Sequence, residues 1–514
     1  MQLVGDKLVF PVVDTSNLLQ AIPHARSLMH NGQLLAAVPH GLDETLVLRN
    51  LGYEPPAPLE RTYTWPGRYT PMPHQIATAS FLSLRRRAMV LSSMGTGKTI
   101  SSLWAADYLL RSKHATRVLV VAKLSTVRPV WAREMAASFP YRTLHVLVGD
   151  KAKQHRVLGN VQDGDWAVIN HDGFTGLTQH LRKFDLIIYD EATAVKTTGS
   201  IRFRRLFRFV EENKPWLWLL TGTPITQTPM DAWAYGRLLA SPALPRSKAT
   251  FEDLVMNKVS KFKSVPRPNA IAECQKVLQP SIRFSLDECV ALPPQVMVYR
   301  ESTLSKTQAA VFAEMKATAA IAAHQITAAN AAVVVTKLLQ VCCGCVYTSG
   351  GVVRTAVIDA EQRLTTLMDV LDEAGGKVVV FVPFRAVLDW LETALTQRGY
   401  SVASVHGDVP ETERSRRFHA FQHDEHPHFL LAHPTVASHG HTLTRAQTAV
   451  WYVPTHSLET YEQANARIQR IGTTARTQVV HLLATSFERG LYTRLQNKQS
   501  VLNDFLDLVK GVNE

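Results

Sequence analysis

Short apolar runs, each the length of one strand and each closed off by polar or turn residues, recur along two stretches of this chain. In the first, between about residues 70 and 240, they fall at 88–91, 118–122, 144–148, 166–170, 186–189 and 216–220, with helical segments between them. Runs that are apolar throughout, rather than at every second position, belong to strands buried on both faces. Strands of that kind alternating with helices predict a parallel sheet wrapped by helices. The second stretch opens near Lys377 and repeats the rhythm at 378–382, 402–405, 429–432, 450–453 and 479–483. The prediction is an α/β protein with two tandem parallel-sheet domains.

The intervening segments read differently. Residues 1–62 hold strand-like runs at 7–13 and 33–38 and a helix near 17–30, and form a small N-terminal add-on. The stretch GYEPPAPLERTYTWPGRYTPMP that follows is punctuated by proline and glycine and predicts an extended connector. After a first lobe at 63–240, prolines at 242, 245, 266 and 268 interrupt the pattern, and an Ala-rich stretch at 309–340 predicts long helices. Residues 241–355 are therefore expected to be a helical connecting insertion. A second lobe at 356–490 and a terminal helix at 491–514 complete the expected layout.

In a parallel sheet, ligands collect at the carboxyl ends of the strands. Three groups with chemistry fall at such ends. The first is VLSSMGTGKT, where the run at 88–91 enters a turn containing Gly95, Thr96 and Gly97, and a helix follows. Backbone N–H groups of such a turn and of the helix start converge on one point, which suits a phosphate. Lys98 is placed for β/γ-phosphates and Thr99 for Mg2+. The first glycine of the usual phosphate-loop pattern is replaced by Ser92. The second group is Asp190-Glu191, where one carboxylate can hold a metal and the next can activate water. The third is Thr221-Gly222-Thr223-Pro224. In the other half, YEQANARIQRIG sets Gln463, Arg467 and Arg470 four and three residues apart, a helical spacing that puts them on one face. Two guanidiniums so placed call for an anion, and a transferring phosphoryl group is one.

Charge adds a partner. The chain carries 56 Lys+Arg against 43 Asp+Glu, a formal net charge of +13, spread along its length. That surplus suits a polyanion. The clusters Arg85-Arg86-Arg87 and Arg202, Arg204, Arg205, Arg208 are candidates for backbone contacts. Five cysteines, three of them at Cys342, Cys343 and Cys345, make neither a spaced disulfide framework nor a finger-like zinc set. No apolar run approaches the length of about 18 residues that a membrane span needs, and the first residues lack the character of a signal peptide.

Taken in order, these segments resemble the Swi/Snf-type DNA translocases of helicase superfamily two, across about residues 65–495. Gln75 in PMPHQ matches the adenine-reading glutamine, SSMGTGKT motif I, and VLVVAKLSTVRPVWAREM motif Ia with Trp131 and Glu134. DEAT with Lys196 corresponds to motif II, LTGTPI to motif III, SHGHTLTRA to motif V and QANARIQRIG to motif VI. Departures are Thr193 for the usual His of motif II, Thr226-Gln227 after motif III, and Ala437, Ser438, His439 and His441 in motif V, where Gly440, Leu443 and Thr444 agree.

The resemblance implies two RecA-like lobes with a nucleotide cleft between them and hydrolysis of ATP with Mg2+. It assigns Gln75, Gly95, Thr96, Gly97, Lys98, Thr99 and Gln463 to the nucleotide, Thr99 and Asp190 to the metal, and Glu191, Lys98, Arg467 and Arg470 to catalysis. Thr221, Thr223 and Gly440 would couple hydrolysis to motion. Lys123, Ser125, Thr126, His171, Thr435 and Thr444 would touch DNA phosphates without reading sequence. The expectation is a monomeric, cytoplasmic, nucleoid-associated enzyme of a bacterial or phage-infected cell, working on duplex or branched DNA. An RNA or single-strand helicase, and a nucleotide-gated DNA-binding module that does not move, are the competing readings.

Overall fold

The computed structural model describes all residues except 68, 226–227, 261–262, 291–292, 294, 323–327, 349–353, 358–359, 438–442, 456, 470–472, 474–475 and 496–514. It divides into two compact units, Met1–Cys289 and a second that begins at Val290.

The first unit opens with a four-stranded antiparallel sheet in the order Gln2–Val4, Lys7–Pro11, Gln33–Pro39, Arg26–His30. Leu8, Phe10, Ala36 and Val38 from the sheet, Leu18 and Leu48 from two helices, and Ile22 just beyond the first of them form its core. The helix expected near 17–30 is confined to Ser16–Ala21, and Arg26–His30 is a strand paired with Gln33–Pro39. Two local signals explain this. Pro23 stops the helix, and Asn31-Gly32, with φ of 51° and 75°, makes the tight turn of a hairpin.

The connector that follows is extended apart from the one-turn helix Leu59–Thr62, and aromatic side chains pin it down. Trp65 stands edge-on to Trp104 at 5.1 Å, and the Trp104 indole N–H donates to Pro66 O at 3.0 Å. The Tyr63 hydroxyl donates at 2.8 Å to Asp107, a buried carboxylate that also receives the Tyr141 hydroxyl and the guanidinium of Arg142. A buried charge is tolerable only when its lone pairs are filled in this way.

The main sheet of this unit has seven parallel strands in the order Ser281–Ile282, Arg87–Val90, Trp216–Leu220, Leu186–Asp190, Val118–Ala122, Trp166–Asn170, Leu144–Leu147. Six of these are the apolar runs of the first stretch. The seventh, Ser281–Ile282, comes from the segment read as a connecting insertion. Residues of that segment up to Cys289, including the helices Lys248–Val255 and Ala270–Val277, belong to the first unit.

The second unit is built on six parallel strands in the order Gln295–Glu301, Thr477–Leu483, Ala446–Trp451, Lys377–Phe381, Phe429–Ala432, Val402–Val405. Five are the runs of the second stretch, and Gln295–Glu301 again comes from the segment read as an insertion. The Ala-rich stretch gives the helices Lys306–Ala322 and Ala328–Cys342. Cys342, Cys343 and Cys345 are buried free thiols. Among the described residues no helix is long and apolar enough to cross a membrane, and no group of three His, Cys, Asp or Glu is placed to hold a metal.

Candidate nucleotide site

Trp216–Leu220 lies between Arg87–Val90 and Leu186–Asp190, with Leu220 in register with both Val90 and Asp190. The carboxyl ends of three neighbouring strands therefore stand in line, and each carries one of the sequence-predicted groups.

The phosphate loop leaves the first of these strands. Gly95 and Gly97 have φ of 82° and 85°, a region that only glycine enters without strain. At Gly97 space is limiting too, because an added Cβ would stand 2.2 Å from Gln75 Nε2. The helix Lys98–Arg111 starts at once, so its unpaired N–H groups open on the loop. The Lys98 ammonium donates to Ser92 O at 2.7 Å and Ser93 O at 3.0 Å, which folds the loop around it. The Thr96 hydroxyl closes the turn on Ser93 O at 2.8 Å.

Ser92, where a glycine is usual, makes a contact no glycine could. Its hydroxyl accepts the Phe284 N–H at 3.0 Å, while Ser93 N–H donates to Phe284 O at 2.9 Å. Gln75 sits in the first turn of the helix Pro73–Ser83 with Oε1 accepting Met72 N–H at 3.1 Å and Nε2 donating to Thr96 O at 3.4 Å. The neighbouring His74 ring N–H donates to the same carbonyl at 2.8 Å. No spacing in the sequence marks His74 or Phe284 for these roles.

On the strand Leu186–Asp190, the Asp190 carboxylate accepts the Trp131 indole N–H at 2.8 Å and the Glu191 N–H at 3.0 Å. Burial raises its pKa. The Trp131 bond and the Lys98 charge oppose that shift, in that order. Lys98 and Asp190 are thus electrostatic neighbours. Glu191 adopts φ 52°, ψ 59°, a left-handed conformation costly for a residue with a Cβ, of the kind that collects at functional sites. Lys196 reaches Asp231 at 3.9 Å. From the strand between, Thr221 N–H donates to Val90 O at 3.0 Å, and Thr223 N–H to the Thr221 hydroxyl at 3.1 Å. A Cβ on Gly222 would lie 3.9 Å from Lys98 Nζ, so this turn passes directly over the phosphate loop.

The donor set fits a nucleotide with its metal. Glycine-lined backbone, a helix N-terminus and one ammonium face a carboxylate whose ionised form that ammonium favours. A bound nucleotide and its divalent cation would be held by Lys98, Thr99 and Asp190, with Glu191 beside them.

The residues expected at DNA divide by exposure. Lys123 is half-buried and Ser125 exposed. The Thr126 hydroxyl turns inward to Lys123 O at 3.0 Å. His171 is only 5% exposed; its ring stacks on Tyr189 at 4.9 Å and donates to Asp190 O at 2.9 Å. Burial lowers its pKa to about 4. In this geometry His171 braces the strand end that carries Asp190. Arg85-Arg86-Arg87 lies at the amino end of its strand, opposite the phosphate loop. Arg85 covers the Phe81 ring, Arg86 donates to Lys214 O, and Arg87 pairs with Glu211. Arg202 and Arg208 pair with Asp172 and Glu212, whereas Arg204 and Arg205 are exposed.

In the second unit, Thr435 is exposed, with its hydroxyl 2.7 Å from His433 Nδ1, and Thr444 accepts from Gln422 at 3.0 Å. Gln463 is buried in the helix Leu458–Asn465 and donates to Glu459 at 3.0 Å. The helix expected to carry Gln463 and both arginines on one face stops at Asn465, and Arg467 lies in the turn beyond. Trp451 holds the Asn465 side chain at 3.0 Å, and Arg467 O accepts the Leu443 N–H at 3.0 Å, which fixes the chain in its turn. Burial, with Glu459 nearby, raises the pKa of Glu462 to about 7. Arg470, Gly440, Ser438, His439, His441 and Thr226-Gln227 lie outside the described residues.

The pattern of the SNF2-related domain matches residues 74–345, more than half of the chain. This chain belongs to the SNF2-related family. The helicase conserved C-terminal domain matches residues 361–472, so the family's ATPase core is present as two successive domains. Chromodomain-helicase-DNA-binding protein 1-like of Danio rerio is 25% identical over 450 residues, covering 83% of this SNF2-family chain and 43% of that protein. SWI/SNF-related matrix-associated actin-dependent regulator of chromatin subfamily A-like protein 1 of Xenopus tropicalis is 24% identical over 450 residues, covering 84% and 44%. The chain thus spans less than half the length of these animal relatives. Putative protein p41 of Acyrthosiphon pisum secondary endosymbiont phage 1 is 25% identical over 444 residues, covering 80% of the chain and 91% of that protein. Among solved structures, the Sulfolobus solfataricus SWI2/SNF2 ATPase core in complex with dsDNA is 19% identical, with a TM-score of 0.40 over 86% of this chain and 93% of that one.

Proposed function

We propose that this SNF2-family chain is a DNA-dependent ATPase that uses hydrolysis of ATP to move along duplex or branched DNA. The observation that carries the reading is the alignment of phosphate loop, Asp190-Glu191 and Thr221-Gly222-Thr223 on three adjacent strand ends, with Gln75 packed against the loop. A module that only bound nucleotide would need no carboxylate pair there.

In this reading Lys98 and the loop N–H groups bind the phosphates, Gln75 reads the base, and Thr99 and Asp190 hold Mg2+. The bound cation would neutralise charge building up on the transferring phosphoryl group. Glu191 orients and deprotonates the attacking water. Arg467 and Arg470 stabilise the transition-state charge, Gln463 supports them, and Thr221, Thr223 and Gly440 couple the site to motion. Lys123, Ser125, Thr435 and Thr444 meet DNA phosphates, and the net charge of +13 supports a polyanionic track. In this reading the enzyme is monomeric and works at the nucleoid of a bacterial or phage-infected cell.

The test is ATP turnover by the purified chain with duplex DNA, single-stranded DNA, forked DNA and RNA in parallel, joined to displacement of a third strand from a triplex. Stimulation by duplex or forked DNA with third-strand displacement is the expected result. Turnover that responds only to RNA, or no turnover with any polymer, would refute it.

A further inference from the structure

Trp131 is completely buried, yet its indole N–H is spent on the Asp190 carboxylate, 59 residues away in sequence. It is carried by a π-helical turn, Val127–Ala132, with sequence VRPVWA. Single π-helical turns are frequently found at functional sites. Pro129 within it has no N–H to give to a tighter ladder, which favours the wider turn. The turn packs against the strands Leu144–Leu147 and Trp166–Asn170 and continues without a break from the short helix Leu124–Thr126. One continuous stretch thus joins Lys123 and Ser125 at the surface to a donor on Asp190. An amide or hydroxyl could have filled that lone pair, but a ring wedged in a core has far less freedom to swing away.

We propose that Trp131 is a positioning residue whose indole N–H sets the orientation in which Asp190 receives the divalent cation, and that the π-helical turn makes this orientation depend on DNA held at Lys123 and Ser125. The proposal rests on the reading of Asp190 as a metal ligand given above. Trp131 holds Oδ2 while the Glu191 N–H holds Oδ1, so rotation of the group about its last bond is opposed at both oxygens, and losing the indole N–H frees one of them. A shift of the Leu124–Thr126 turn when a phosphate is bound passes along the π-helical turn to the ring, and so to the carboxylate. Trp131 itself touches neither nucleotide nor metal.

The test replaces Trp131 in the full chain with β-(3-benzothienyl)alanine, which keeps the ring's size and puts sulfur where the N–H was. Trp131→Phe serves as a second variant. Mn2+ binding in the presence of a non-hydrolysable ATP analogue is followed by electron paramagnetic resonance, with and without duplex DNA, beside the Mg2+ dependence of turnover. Loss of a partner behind a metal ligand typically weakens metal binding about tenfold to a hundredfold, and that is the expected loss. Nucleotide affinity without metal and the thermal midpoint of the benzothienyl variant should match the parent. DNA should tighten Mn2+ binding in the parent and leave the variant unmoved. Mn2+ affinity within about twofold of the parent overturns the positioning role. Weakened affinity with the DNA response intact overturns the link to Lys123 and Ser125. A parent chain whose Mn2+ affinity ignores DNA while its turnover responds to DNA overturns the link to Lys123 and Ser125 alone; one whose turnover also ignores DNA refutes the proposed function, while the benzothienyl comparison still decides the role of the N–H.

Discussion

Replacing Arg363 with methionine should uncouple the stability of the second unit from that of the first. Arg363 and Glu488 are 1% and 0% exposed, and the guanidinium meets the carboxylate at 2.6 Å. The same guanidinium donates to Tyr452 O at 2.6 and 2.9 Å and to Leu482 O at 3.0 Å, just beyond the strand Ala446–Trp451 and within Thr477–Leu483. Glu488 is held in turn by the N–H groups of Ala484 and Thr485. Methionine preserves much of the volume but takes the guanidinium from a carboxylate and from three carbonyls, the third being Cys342 O at 3.3 Å. Breaking a buried pair by removing one partner costs about 3–5 kcal/mol, against about 0–1 for an exposed pair. With a urea dependence of about 1–3 kcal/mol/M, the transition of the second unit should fall by about 1–5 M. Circular dichroism through a urea series, with ATP analogue binding as a reporter of the first unit, separates the two. The double variant Arg363→Met, Glu488→Leu should recover most of the loss, because both charges are gone and only the carbonyls lack donors. A single variant costing less than about 1 kcal/mol, or a double variant no better than the single, would show that the pair carries little of the unit's stability.

Three further outcomes are expected. Glu191→Gln should leave ATP bound and turnover near zero, since the base is lost while Asp190 is untouched; near-normal turnover in a coupled assay would show that another group activates the water. Ser92→Gly should cost the first unit about 1 kcal/mol, the worth of the bond to Phe284, with little change in ATP affinity by calorimetry; a large affinity loss would mean the hydroxyl serves the nucleotide. His171 and His481, one in each unit, both have pKa values lowered to about 4 by burial, against 6.5 for the free ring. The unfolded chain therefore takes up these protons first, and acid favours unfolding. The first unit should lose about 2 kcal/mol between pH 7 and pH 5 in urea titrations; in the second, Glu462, with its pKa raised to about 7, is protonated in the folded state over the same window and offsets His481, so its midpoint should move much less. A pH-independent midpoint for the first unit would contradict the assigned burial of His171.

What could be read from sequence follows from how strongly a local pattern is imposed. Strands buried on both faces, such as Val118–Ala122 and Trp216–Leu220, are apolar throughout and visible at once. The two edge strands were hidden for different reasons. Ser281–Ile282 has two residues and follows a proline, while Gln295–Glu301 is partly exposed and sits behind Pro293 and Pro294 in a segment whose prolines suggest a linker. At the site, the glycines and Lys98 are legible because backbone geometry demands them. Trp131, His74 and Phe284 act across long separations, and no spacing rule connects them to Asp190, Thr96 or Ser92. The helical face predicted for Gln463 and Arg467 failed because tertiary contacts at Asn465 and Leu443 override the intrinsic preference of that stretch.

The pairing of Ser92 and Ser93 with Phe284 has a consequence for the path between the units. The covalent bridge to the second unit starts only a few residues later, at Val290, and its root is knotted to the backbone that Lys98 also grips. Any shift of the Ser92–Ser93 backbone is therefore handed by two hydrogen bonds to Phe284, in the last stretch of the first unit before that boundary.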